Sequence, residues 1–261
     1  MPSFLQLVTN SPAAPTQFLL STGNINHNLE LKKTNFTNSA EELEQWIALQ
    51  SKYSLNCKPA TDRMNTYSRD ELKVTLKIFM TKWEVDHIQE AVDALKKELN
   101  IKDIESLIVA LPSLKAIPGE SNVETLHSWL YLATPIYNRM NELVETSIVG
   151  AIGLADITLE QLEKLQEFAI KPSIVHINAD RQVGDLLRAL AVKEEVQLLA
   201  HNDPNPLPTD GIEKALGKIA KPAKNAKTMW LARYTVFIRT RAVLISKGYL
   251  ARLEINNLNL H

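Results

Sequence analysis

Short runs of branched apolar residues recur at 74–80, 107–111, 148–154, 174–177, 196–200 and 242–245, with a further one at 18–24. Apolar stretches of this length, without polar alternation, are what parallel strands covered on both faces require. Between them the period changes. Val85, Ile88, Val92, Leu95 and Leu99 follow one another at steps of three or four, which places them on one face of a helix. Three helix starts carry a capping box, in which a Ser or Thr side chain and a Glu or Gln three residues on satisfy each other's free backbone N–H groups. The pairs are Ser39 with Glu42, Ser121 with Glu124, and Thr158 with Gln161. Strands alternating with helices predict an α/β fold, either a closed barrel or an open doubly wound sheet. Seven strands are counted in this way. An eighth belongs between residues 53 and 70, with a short strand at 53–57, so the second β/α unit is expected to be irregular.

A length of 261 residues suits one barrel, and residues 1–261 are read as a single domain. With 45% hydrophobic and 23% charged residues the chain can bury a core, which excludes a largely disordered protein. No stretch reaches the roughly 20 apolar residues of a membrane span, and the N-terminus lacks the basic region of a signal peptide. A cytoplasmic protein without membrane contact is expected. Cys57 is the single cysteine; it excludes an internal disulfide and fits a reducing compartment, but it could still bridge to another chain. Asn35, Phe36 and Thr37 match a glycosylation acceptor that has no meaning in that compartment. The six histidines show no metal-ligand spacing, and the eight glycines form no phosphate-binding loop, so neither a metal nor a cofactor is expected.

Charge sharpens the picture. The net value is −1, but residues 215–253 hold nine Lys or Arg and no acid, which leaves a balance of −9 on residues 1–214. A basic segment on an acidic body is a feature of partner recognition. The near-neutral total and the strand within the segment argue against nucleic acid as that partner.

Four segments taken in order resemble the aldo/keto reductase barrel: residues 74–79, containing Lys77; 107–112; 148–154; and 231–234 running on to 246–247. That resemblance selects a (β/α)8 TIM barrel from the two α/β options. Distinctive runs resemble one branch of that superfamily, the regulatory (modifier) subunits of glutamate–cysteine ligase. They are Ser-Thr-Gly-Asn at 21–24 with Lys32 and Lys33, His-Asn-Asp-Pro at 201–204, Trp-Leu-Ala-Arg-Tyr at 230–234 and Ser-Lys-Gly-Tyr at 246–249. The resemblance implies a non-catalytic protein that forms a heterodimer with the catalytic subunit, raises its affinity for glutamate and relieves feedback by glutathione. An NADPH-dependent aldo/keto reductase is the alternative.

The same comparison argues against reductase chemistry, which needs a Tyr proton donor tuned by Lys and Asp, and a His that orients the carbonyl. Lys77 stands at the Lys position, but Ala110 stands at the His position. Asp62 and Tyr67 show the reductase spacing yet lie within fifteen residues of Lys77, too close for the intervening helix. Ala155 and Asp156 replace the Ser-Asn pair that holds the nicotinamide, and His176 and His201 replace the Gln and the stacking Tyr. Lys247 matches the cofactor-phosphate Lys, with only an offset Arg252 beyond it. Lys77 and Lys247 are therefore read as vestiges of a cofactor site. Partner contacts are expected in the C-terminal third, on His201, Asn202, Asp203, Pro204, Trp230, Arg233, Tyr234, Arg239, Arg241 and Tyr249. Cys57 is the candidate for an intermolecular disulfide.

Overall fold

The computed structural model describes residues 4–9, 15–53, 58–114, 122–180 and 184–255. The strands are β1 (Leu5–Thr9), β2 (Thr16–Ser21), β3 (Leu72–Met80), β4 (Ile104–Ala110), β5 (Val149–Ala155), β6 (Ile174–Asn178), β7 (Gln197–His201), β8 (Lys227–Ile238) and β9 (Val243–Ile255). The helices are α1 (Leu29–Lys32), α2 (Ser39–Tyr53), α3 (Asp86–Leu99), α4 (Asn122–Glu145), α5 (Leu159–Leu165), α6 (Asp185–Lys193) and α7 (Asp210–Ile219). All nine strands join one sheet in the order β1-β2-β9-β8-β3-β4-β5-β6-β7.

The α/β class and barrel-like form expected from the sequence are present, with a departure in detail. Strands β3 to β7 pair in parallel, joined by helical crossovers. On the other side of β3, the strands β8, β9, β2 and β1 each pair antiparallel with their neighbour. The stretch expected to hold an eighth parallel strand holds none among its described residues. Tyr53 closes α2, residues 54–57 lie outside the described part, and 3-10 turns at Met64–Thr66 and Arg69–Glu71 lead into β3. In place of that unit the long β8–β9 hairpin completes the wall.

The curl of the sheet follows from one contact. Asp203, two residues beyond β7, reaches Lys77 on β3 at 3.0 Å. Four strand spacings separate β3 from β7, about 19 Å in a flat sheet, far beyond a lysine's reach. The sheet must therefore wrap, and its two faces differ. Outward side chains such as Leu76, Ile78, Leu107, Val109, Ile152, Trp230 and Tyr234 pack under α3, α4 and α5 in one core. Inward ones at the C-terminal strand ends, Phe79, Ala110 and Ala155, join Phe18, Leu20, Leu231 and Tyr249 in a second core covered by α2 and α7.

Local sequence explains the helices that matter. The predicted face of α3 is buried at Ile88, Val92, Leu95 and Leu99, each contributing about 1.5–3 kcal/mol by leaving water. That helix ends at Asn100, whose φ of 53° is left-handed, a conformation Asn tolerates. The Thr158–Gln161 capping box opens α5 as predicted. The Ser39–Glu42 box does not form: the Asn38 side chain accepts from the N–H groups of Ala40 and Glu41 instead. Residue 121 of the third box lies outside the described part.

Candidate functional site

The centre of the concave face is a buried charge network. Lys77, one of the largest fully buried side chains, donates to Asp203 Oδ2 at 3.0 Å, both groups being almost wholly shielded from water. Arg233, the register partner of Lys77 on β8, brings a guanidinium nitrogen within 3.5 Å of the same oxygen. The first residue of α2 closes the arrangement. Its N–H donates to Asp203 Oδ1 at 2.8 Å, and its hydroxyl accepts from Arg233 at 2.7 Å. Burial is the largest influence on Asp203 and would raise its carboxyl. Arg233, Lys77 and Ser39 together outweigh it and hold the group well below the usual carboxylate range. Burial also pulls Lys77 below its ordinary value, and Asp203 offsets part of that.

The loop after β7 is fixed from below. His201 accepts from the Asp203 N–H at Nδ1, 3.1 Å, and its Nε2 lies 3.2 Å from Asp156 Oδ1. Asn178 donates its side-chain amide to the Asp203 carbonyl at 3.1 Å. His176 stacks on His201 with ring centroids 5.7 Å apart. Burial, followed by Lys77, lowers the His176 pKa to about 3, so that ring is neutral.

The reductase-like positions can now be placed. The Lys77 amine is tied to Asp203 and lies beneath α2. Ala110, at the end of β4, is part of the apolar core with Phe79 and Ala155 and supplies no polar group. Lys247 is ion-paired with Glu42 of α2 at 2.6 Å, and Tyr249 donates its hydroxyl to the same carboxylate. The C-terminal strand ends are thus filled from within by α2, using Ser39 and Glu42. Asp62 sits beside His27 at 3.3 Å, in the turn region before β3.

Of the partner-contact candidates, burial removes several from the surface. Trp230, Tyr234, Tyr249, Asp203 and His201 are all buried. Trp230 and Tyr234 share the outward face of β8, where the first donates to Glu90 of α3 and the second to the Gly23 carbonyl. These five can shape an interface but cannot form one by direct contact. Asn202, Arg239 and Arg241 are exposed, and Pro204 and Arg233 are half-buried. Arg239 is held by Glu105 at 2.8 Å and by the carbonyls of Asp70 and Leu72. Cys57 lies outside the described residues. Sequence reasoning placed Lys77 and Asp203 in separate roles and missed their pairing, along with the parts played by Ser39 and Glu42. A lysine within an apolar strand was the available signal, because a buried ammonium demands a counter-charge.

Among the described residues no group of His, Cys, Asp and Glu is arranged to hold a metal ion. No helix among them is long and apolar enough to cross a membrane.

No protein-family profile matches the chain. Solved structures similar to it include an aldose reductase from Schistosoma japonicum, at 18% identity over 61% of this chain and 51% of that one, with a TM-score of 0.41. An aldo/keto reductase from Brucella melitensis follows at 18% identity, 70% and 71% coverage, and a TM-score of 0.43. Curated relatives are nearer. The glutamate–cysteine ligase regulatory subunit of Homo sapiens is 29% identical over 202 residues, 75% of this chain and 71% of that protein. The Mus musculus protein of the same name matches equally. A putative glutamate–cysteine ligase regulatory subunit of Schizosaccharomyces pombe is 23% identical over 214 residues, 70% of this chain and 72% of that protein. This chain thus has homologues named as glutamate–cysteine ligase regulatory subunits, across about three-quarters of its length.

Proposed function

We propose that this protein is a non-catalytic regulatory subunit, which binds the catalytic chain of a glutamate–cysteine ligase in the cytoplasm and raises its activity. The observation that carries this reading is the similarity to regulatory subunits across three-quarters of the chain. The site supports it. A carbonyl reductase needs a His that orients the carbonyl and an open approach to its proton donor, whereas here an alanine stands at the histidine position and α2 lies over the strand ends. Activation then works by differential binding: the subunit favours the active form of its partner by the free energy that separates its affinities for the two forms. Nucleic acid has no part in this reading.

The experiment mixes the purified protein with the catalytic chain from the same source. Co-elution on size exclusion, with faster γ-glutamylcysteine formation at subsaturating glutamate, is the expected result. A parallel assay follows NADPH oxidation with aldehydes and ketones. Failure to form a complex under conditions where both chains are folded overturns the regulatory reading. NADPH turnover abolished by Lys77→Met would favour the reductase instead.

A further inference from the structure

Barrel interiors are ordinarily filled by layers of bulky aliphatic side chains. One layer here is not. Thr235 of β8 pairs in register with Thr75 of β3, which pairs in turn with Ser106 of β4. Three hydroxyls thus form a row across three adjacent strands, all on the concave face, one layer below Lys77 and Arg233. Ser106 is only 4% exposed. None of the three hydroxyls has a hydrogen-bond partner among the described residues.

The row lines a cavity of about 530 Å³, whose wall also includes Lys73, Lys77, His176, Arg233 and Arg239. This space lies toward the N-terminal ends of the parallel strands and opens by the β8–β9 turn, on the side away from α2. Its electrostatics are one-sided. Against the cations Lys73, Lys77, Arg233 and Arg239 stand Asp203, paired with Lys77 and Arg233, Glu105, which Arg239 shares with Arg69, and Asp156, which acts on Lys77 from farther away. Lys73 has no ion-pair partner among the described residues. A surplus of cations beside unpaired hydroxyl donors, in a half-enclosed space, is the chemistry of an oxyanion site.

We infer that the cavity beneath Lys77 and Arg233 binds the carboxylate or phosphate group of a small metabolite, with Thr75, Ser106 and Thr235 as hydrogen-bond donors and Arg233 and Lys73 as the counter-charge. The site is independent of the catalytic partner and can be tested on the protein alone. Inorganic phosphate and glutarate are titrated separately by calorimetry, up to about 10 mM, with sodium chloride at matched ionic strength as control. Saturable one-site binding of phosphate, glutarate or both is expected, and the arm that binds identifies the group. The double variant Thr75→Val/Thr235→Val removes two hydroxyls at nearly constant volume and should weaken binding at least tenfold with the circular dichroism spectrum unchanged. Ser106→Ala gives the same reading if the double variant fails to fold. Absence of saturable binding by both anions overturns the proposal, as does binding that Ser106→Ala and the valine variant leave unchanged.

Discussion

Replacing Asp203 by Asn tests whether the buried network holds the curled sheet together. The carboxylate is the only ion-pair partner of Lys77 among the described residues, and it also faces Arg233 at 3.5 Å and the Ser39 N–H. Asn keeps the shape and one acceptor oxygen but strands a 2%-exposed ammonium. Removing one partner of a buried pair costs about 3–5 kcal/mol, because the survivor remains desolvated without compensation. With a denaturant slope of about 3 kcal/mol/M for a chain of this size, the urea midpoint should fall by about 1–1.7 M. Lys77→Met is the informative companion. It removes the desolvated cation and leaves Asp203 with Arg233 and Ser39, so it should cost less than Asp203→Asn. The double variant should be more stable than the two single losses added together, with a coupling of at least about 2 kcal/mol. A midpoint for Asp203→Asn within error of the parent, or strict additivity in the cycle, would refute the reasoning.

Three further outcomes follow from the same structure. The His176 pKa, near 3 in the folded protein against 6.5 in the unfolded chain, means that the unfolded state binds more protons between those values; stability should therefore be complete above pH 6.5 and decline as pH falls toward 3. Allowing for partial exposure, the loss is about 2–3 kcal/mol, and His176→Gln should flatten the dependence of urea stability on pH; an unchanged slope argues against the assignment. Glu42→Gln breaks the pairing with Lys247 and weakens the Tyr249 bond, so thermal unfolding should reveal a loss of about 1–3 kcal/mol, and wild-type melting would show that these contacts do not hold α2. Gly248→Ala places a methyl against the Gly23 carbonyl and the Tyr234 hydroxyl, a backbone collision that should cost about 2 kcal/mol or more in denaturant unfolding; wild-type stability would mean that the hairpin shifts freely there.

The parallel half of the fold was legible because β3, β4 and β5 are largely buried and read as apolar runs, and because α3 carries a clean helical period. The antiparallel half was legible only in part: the runs at 18–24 and 242–245 fall on β2 and β9, but periodicity did not pick out β8 or the antiparallel pairing, for a physical reason. In β8 the outward residues Trp230, Ala232, Tyr234 and Val236 alternate with Leu231, Arg233, Thr235 and Phe237, a half-polar pattern that reads as surface or turn. Its partner β3 lies some 150 residues earlier in the chain, and no local pattern encodes a pairing at that range. The Ser39–Glu42 signature misled in a similar way: both side chains were drawn into tertiary contacts, with Arg233 and with Lys247, while Asn38 took over the cap.

The partner-contact candidates divide by the same topology. Asn202 and Pro204 follow β7, at the C-terminal end of the parallel strands. Arg239 and Arg241 follow Ile238, which pairs with Leu72, the first residue of β3. They therefore lie toward the opposite end: Asp203, between Asn202 and Pro204, sits against Lys77, five residues along β3 from Leu72, which is about 17 Å. One end face of the barrel cannot present both groups. At the β7 end the loop is pinned by Asp203 and His201, so it offers a rigid surface that loses little entropy on binding. At the other end Arg239 is already held by Glu105 and two carbonyls, which leaves Arg241 as the more available charge. If the regulatory reading holds, alanine replacements should separate the two ends: Asn202→Ala or Arg241→Ala weakens the complex by more than about 1 kcal/mol, but not both. Titration of each folded variant against the catalytic chain decides it, and equal losses at both ends would mean that the partner runs along the wall of the sheet instead of docking on an end.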